Sequence, residues 1–336
     1  MRRTAACLAA LAIVLAVAPA AGAASWARPQ IRVAVQSGLM GPSVPSFRPN
    51  DPLTQGDLAR IVAGLSGRPE QAPANPKAVV TMTQLDRALV RALGAGAAAT
   101  AFETELKSAG VAPPLRAGWE TVARLLELRF NHPSGADALE LRPNDPATRA
   151  ETAYSVARSL SLDDWSLDSV NDAADSFDLP DYTDWQRRVL TRAVKFVGYP
   201  YVWGGTSENR QTLFGVTSRG GFDCSGFVWR VYKVEPYSDA PKLGTTIRNR
   251  TAAGMAGEIA KTARVGWLKL RPADVLFFGP NGRTSKPAGV DHAGIALGNG
   301  WFVHSSGQGT TIAPLAGWHE HAFAWGRRPL REAGLS

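Results

Sequence analysis

The stretch GGFDCSGFVWRVY, residues 220–232, decides the fold of the second half of this chain. Asp223 is a side-chain acceptor suited to cap a helix, which makes Cys224 the first helical residue. Phe227, Val228 and Val231 follow it by three, four and seven positions, the spacing of one helical face. The thiol therefore lies on an apolar stripe and faces whatever that helix packs against. Free N–H groups and the dipole at a helix N-terminus favour a thiolate. Asp223 opposes that charge, so a nearby imidazolium is expected to complete the activation.

The chain has five histidines, and two of them, His292 and His304, lie in VDHAGIALGNGWFVHSSG, which reads as two strands joined at Gly298-Asn299-Gly300. With all three residues in the loop, Leu297 pairs with Trp301 and Gly294 pairs with His304. His292 then shares a sheet face with His304, at a diagonal Cα separation of ~7–8 Å. A two-residue loop would put the two on opposite faces. Gly294 and Ala296 on the shared face leave room for the Cys224 helix. Cys224 as nucleophile, His292 as base and His304 as the group that orients the base form the general design for acyl transfer by a thiol. Two other readings stay open: a small buried structural cysteine, and a zinc site built from Cys and two His. His319 and His321, in GWHEHAF, read as an exposed loop.

Arg2 and Arg3 precede an uncharged apolar run over residues 5–18 and small residues at 21–23. That pattern is an export signal, residues 1–24, and it carries Cys7 away. The expected mature protein is secreted, extracellular or wall-associated (periplasmic if the cell has an outer membrane), without a membrane span. It keeps one thiol. The 37 basic and 29 acidic residues give +8; loss of the two arginines leaves +6, a mild charge suited to solubility or to anionic wall polymers. No basic run interleaved with aromatics points to nucleic acid.

The first half contains a repeat. FRPNDPLTQGDLARIVAGL from Phe47 matches LRPNDPATRAETAYSVARSL from Leu141, and TMTQLDRALVRALG from Thr81 is a partial copy. Thr54, Thr83 and Thr148 are the expected helix caps, with Asp57, Asp86 and Glu151 three residues on. Further helices are expected at 26–39, 118–130 and 185–197, while 94–118 fits no unit. One unit cannot bury its own apolar face, so the units must pack together. Residues 25–162 resemble an S-layer homology region, which implies binding to cell-wall polysaccharide. A helical spacer is the alternative. Residues 163–184 are acidic and Ser-rich and read as a linker. Every proposed catalytic residue lies beyond 184, so a fragment from Asp181 onward is expected to work alone on small substrates.

With YPYVWGG from Tyr199, GFDCSGFV from Gly221, RPADVLFFG from Arg271, DHAGIALGNG from Asp291 and FVHSSG from Phe302, residues 185–331 resemble an NlpC-family cell-wall cysteine peptidase. The resemblance implies an α+β, papain-like catalytic domain: an antiparallel sheet of about five or six strands with the nucleophile helix packed on it, preceded by the all-α repeat region. It implies Cys224 as nucleophile, His292 as base and His304 as third member, with no cofactor. Tyr201 would stand beside the reacting carbonyl, and Asp223 and Ser225 in the pocket for the substrate's amino end. The implied substrate is the peptidoglycan stem peptide, cut after γ-D-glutamate. Amidases or transpeptidases of the same fold, and a non-catalytic wall-anchored protein, are the alternatives. Ala273 stands where the family usually has glycine, and the insertion 206–220 carries Arg210 and Arg219 at the cleft rim.

Overall fold

The computed structural model describes residues 25–335; the expected export signal lies outside them. The first half is helical: α1 (Arg28–Gln36), α2 (Gln55–Ser66), α3 (Met82–Ala92), α4 (Gly96–Ser108), α5 (Ala117–Leu125) and α6 (Arg149–Ser161). Thr54 and Thr148 cap α2 and α6, each accepting from the backbone N–H three residues on at 3.2 Å. In the middle unit the cap is Thr81, not Thr83. Thr81 accepts from the Gln84 N–H and the Gln84 side chain closes a capping box. Thr83 sits inside α3 and donates to the Glu120 carboxylate at 3.0 Å. The partial copy thus begins two residues earlier than its spacing suggested.

That shift brings three equivalent residues together. Leu53, Val80 and Ala147, each directly before a cap, are fully buried. They exchange backbone hydrogen bonds in a ring: Leu53 N–H to the Ala147 carbonyl (2.7 Å), Ala147 to Val80 (2.8 Å) and Val80 to Leu53 (3.0 Å). Buried backbone groups must be paired, and each entry segment supplies the partner for the next.

Residues 163–184 are not a linker. Asp163 caps α7 (Asp164–Asp175), accepting from the Ser166 N–H at 2.9 Å, and Phe177, Leu179 and Tyr182 beyond it are buried. The stripe Leu167, Val170, Ala174 is narrow, and the acidic outer face hides it in the sequence. Residues 94–118, which fitted no repeat, include α4. Then α8 (Asp184–Val194) opens with a Thr183–Gln186 capping box.

Within 206–220, β1 (Thr206–Ser207) pairs with β4 (Gly221–Phe222), and β2 (Gln211–Leu213) with β3 (Val216–Ser218). The Cys224 helix α9 (Cys224–Trp229) runs on into a π turn, Arg230–Val234. After α10 (Leu243–Thr246) and α11 (Ala252–Gly257) comes a five-stranded antiparallel sheet: β5 (Val275–Phe278), β6 (His292–Gly298), β7 (Trp301–Ser306), β8 (Gly309–Pro314) and β9 (Phe323–Arg327), in the order β8-β7-β6-β5-β9. Short helices α12 (Trp318–Ala322) and α13 (Pro329–Ala333) flank β9.

The period of two along the strands divides the core. Phe227 and Val228 of α9 and Val231 of the π turn share one core with Ala293, Ile295 and Val303, while Phe278, Ala296, Phe302 and Phe323 form a smaller one on the other face. The larger core continues without a break into the helical half. Arg116 donates to the carbonyls of Lys195 (2.6 Å) and Val197 (3.0 Å), and the Tyr182 hydroxyl to that of Leu297 (2.7 Å). Phe102 and Phe177 pack on Trp301, with ring centroids 5.6 and 4.9 Å away. A chain begun at Asp181 would lack Phe102, Phe177 and Arg116, leaving the Trp301 indole and the carbonyls of Lys195 and Val197 without these partners, which bears against the expected separability. Among the described residues no helix is long and apolar enough to cross a membrane.

Candidate active site

The β6–β7 hairpin brings the two imidazoles together by a different route from the expected one. Gly298, not Leu297, pairs with Trp301, so the loop is only Asn299 and Gly300, both at positive φ (46° and 81°). Alone, that turn would separate the histidines. A bulge between Ala296 and Gly298 leaves Leu297 out of the ladder and restores the Gly294–His304 pair. The bulged residue does the work expected of a third loop residue. His292 Nε2 and His304 Nδ1 lie 2.8 Å apart.

The Cys224 helix does not occupy this face. A Cβ at Gly294 would stand 2.6 Å from the Phe302 ring and 3.1 Å from His304 Cβ, so the space is already filled. Instead α9 packs on the opposite face, and its N-terminus meets the sheet where β6 begins. Cys224 Sγ is 3.7 Å from the Asp291 carbonyl oxygen, and the thiol is 8% exposed. Burial pushes it up to about 12; the Asp223 charge adds to this, and the backbone N–H groups of Ala293 and Ser225 only partly oppose it. Burial likewise lowers His292 to about 3 and His304 well below its ordinary value. Burial therefore favours the neutral thiol and the neutral imidazoles and works against the thiolate expected from the helix terminus.

Asp223 caps α9 as expected, accepting from the Gly226 N–H at 2.5 Å and the Gly204 N–H at 3.0 Å. Its carboxylate is also gripped at 3.0 Å by both Nη atoms of Arg250, one of which donates to Ser225 Oγ at 2.8 Å. Asp223 and Ser225 are therefore tied to Arg250 in one cluster, which leaves less charge for a substrate ammonium. Nothing local in the sequence marks Arg250, which lies 27 residues from Asp223. Tyr201 bridges to Phe222 beside the nucleophile helix. Burial, then the neighbouring Cys224 and Asp223 charges, raise its hydroxyl, which stays a proton donor at neutral pH.

A cavity of about 590 Å³ opens beside Asp291, His292 and His304. Trp318 and His319 line it, and the helical half supplies Arg124, Leu125 and Glu127. His319, expected in an exposed loop, is half-buried on α12, its ring centroid 5.0 Å from that of His304; only His321 is exposed. A larger groove of about 940 Å³ runs between Pro113 and α8, but Arg188 there is already paired with Asp239 at 2.6 Å and neither cysteine nor histidine lines it.

The antiparallel sheet thus carries two joined imidazoles on adjoining strands, with a buried cysteine at the start of the helix packed on it. Residues 198–327 match the NlpC/P60 family, and this part of the chain is an NlpC/P60 domain. The chain is 32% identical over 146 residues to the bifunctional muramidase/DL-endopeptidase CwlT of Bacillus subtilis, covering 43% of this chain and 37% of that protein. It is also 32% identical over 136 residues to the murein DD-endopeptidase MepH of Escherichia coli, covering 39% and 42%. The match thus spans well under half of either relative. A solved NlpC/P60 family protein from Bacillus cereus is similar at 23% identity, covering 46% of this chain and 43% of that one, with a TM-score of 0.33.

Proposed function

We propose that this protein is an exported, cysteine-type peptidoglycan endopeptidase that hydrolyses a stem-peptide bond, the one after γ-D-glutamate. The observation that carries this is the His292–His304 bond at 2.8 Å beside the Cys224 thiol, within an NlpC/P60 domain whose relatives are named as endopeptidases.

His292 Nε2 is taken up by His304, which leaves Nδ1 as the nitrogen for the thiol. In that tautomer His292 Nε2–H donates to His304 Nδ1, and His304 carries its own proton on Nε2. As Cys224 Sγ attacks the substrate carbonyl carbon, its proton passes to His292 Nδ1. The oxyanion that forms meets the N–H groups at the start of α9 and the Tyr201 hydroxyl. The C–N bond breaks, the leaving amine takes the proton from His292, and a thioester remains. Water, deprotonated by His292, then releases the acid and restores the thiol. Because burial favours the neutral pair, proton transfer accompanies attack.

The helical repeats are proposed to hold wall polysaccharide and so keep the enzyme near its substrate. Incubation of the full mature chain with purified walls, followed by mass spectrometry of released fragments, tests the reading. Cys224→Ala is expected to release nothing while still sedimenting with walls. Release by Cys224→Ala would end the thiol mechanism. Fragments cut at the muramyl–alanine bond, or joined to a new amine, would move the assignment to the amidase or transpeptidase alternative.

A further inference from the structure

The hairpin β2–β3 carries an exposed aromatic residue where local physics disfavours it. Leu213 pairs with Val216, so the turn is Phe214-Gly215 with φ of 50° and 83°. Both turn residues at positive φ is a setting that selects Asn-Gly or Asp-Gly, and phenylalanine is poorly suited to it. The side chain is 81% exposed and belongs to neither apolar core. The hairpin has its own cross-strand support, since the Thr212 and Thr217 hydroxyls are hydrogen-bonded at 2.8 Å. Phe214 thus combines an unfavourable backbone with an unburied ring, and the fold gains nothing visible from it. A local cost without a local return points to a surface used in recognition.

The ring is tied to the catalytic end of the molecule. It lies over Gly204, where a Cβ would come within 2.8 Å of its edge. The Gly204 N–H donates to Asp223, the cap that precedes Cys224. Trp203, beside Gly204, is 55% exposed. Two exposed aromatic residues therefore stand together beside Gly204, the residue whose N–H is held by the cap of the Cys224 helix.

We infer that Phe214 and Trp203 form a platform for the glycan strand of peptidoglycan, stacking on pyranose rings while the attached stem peptide enters the cleft. This rests on the proposed substrate. An aromatic face carries partial negative charge and an apolar surface, which match the C–H face of a sugar ring. The occupant is fixed by continuity: the peptide in the cleft is covalently attached to a sugar chain, and that chain must pass over the rim.

The test is built on Phe214→Asn, which installs the favoured Asn-Gly turn and removes the ring. The full mature chain is titrated with glycan strands stripped of their peptides, and separately assayed on free stem peptides and on glycan-linked ones. Phe214→Asn is expected to keep or raise the thermal midpoint, to leave turnover of free peptides within about twofold, and to weaken glycan binding and kcat/KM on glycan-linked peptides about three- to tenfold, the scale of one aromatic stacking contact. Phe214→Tyr should restore both. Failure of the parent to bind stripped strands, or an equal loss by Phe214→Asn on free and glycan-linked peptides, overturns the platform. Absence of peptide cleavage by the parent, with glycan binding intact and sensitive to Phe214, instead overturns the endopeptidase reading and leaves the platform standing.

Discussion

Each half of the molecule buries a polar cluster, and the two are built on opposite terms. In the helical half Arg129 meets Asp86 at 2.9 Å, Arg124 meets Glu120 at 3.7 Å and His132 meets Glu151 at 2.8 Å, all nearly sealed from solvent. Arg124 also donates to the carbonyls of Gly198 and Gln308, so the network locks onto the catalytic half. In the catalytic half Cys224 and His304 are buried and His292 partly so, none of the three forms an ion pair among the described residues, and burial pushes all three toward their neutral forms. Compensated burial makes a scaffold. Uncompensated burial holds groups whose protons move only when chemistry supplies the reason.

The contrast breaks most easily at the imidazoles. His292→Ala removes the base and is expected to lower kcat/KM by ~10³-fold or more, while His304→Gln, whose amide can still hydrogen-bond the ring, keeps a measurable fraction. Both should retain the parent's circular dichroism. Equal and complete loss from both would mean that His304 does more than orient.

On the scaffold side, Arg124→Met leaves Glu120 and two carbonyls without their partner. It is expected to cost about 3–5 kcal/mol in urea unfolding, the penalty for breaking a buried pair. Lys107→Met, which breaks a surface pair with Glu103 at 2.6 Å, should cost under about 0.5 kcal/mol. A truncation starting at Asp181 should lose cooperative unfolding altogether.

The two clusters also give stability opposite dependences on pH. Burial raises the Glu140 carboxyl to about 8, so between pH 4.5 and 8 the folded protein keeps a proton that the unfolded chain releases, and stability falls as pH rises. His292, lowered from 6.5 to about 3, is neutral when folded while the unfolded chain gains a proton, so stability falls as pH drops through that window. Thermal midpoints measured from pH 4 to 8 should show Glu140→Gln gaining on the parent toward the alkaline end and His292→Gln gaining toward the acid end. Parallel curves would remove the distinction between the clusters.

A small effect of the opposite sign concerns Ala273. It adopts a φ of 68°, the region that favours glycine, which gives a physical reason for the family's usual residue there. Relief of strain worth ~1–2 kcal/mol is partly offset by glycine's greater freedom when unfolded, so Ala273→Gly should stabilise by under about 1 kcal/mol.

What the sequence alone determined was whatever is encoded within a few residues. Asp223, Cys224 and the stripe behind them specified α9, and Thr54 and Thr148 their helices, because caps and helical faces depend on neighbours three or four positions away. The pairing of Gly294 with His304 was legible too, although the turn and bulge that produce it were not. Tertiary structure decided the rest. It set which sheet face α9 covers, since Phe302 and α12 compete for the other. It fixed the register of the middle repeat through the backbone ring of Leu53, Val80 and Ala147. It also brought Arg250 to Asp223 and Arg124 to the rim of the cavity, and it turned 163–184 from an acidic stretch into part of the core. At Cys224 the burial of the thiol works against its local signal. A helix terminus acts over one turn, whereas desolvation sums over every group packed around the site, and only the folded chain determines which groups those are.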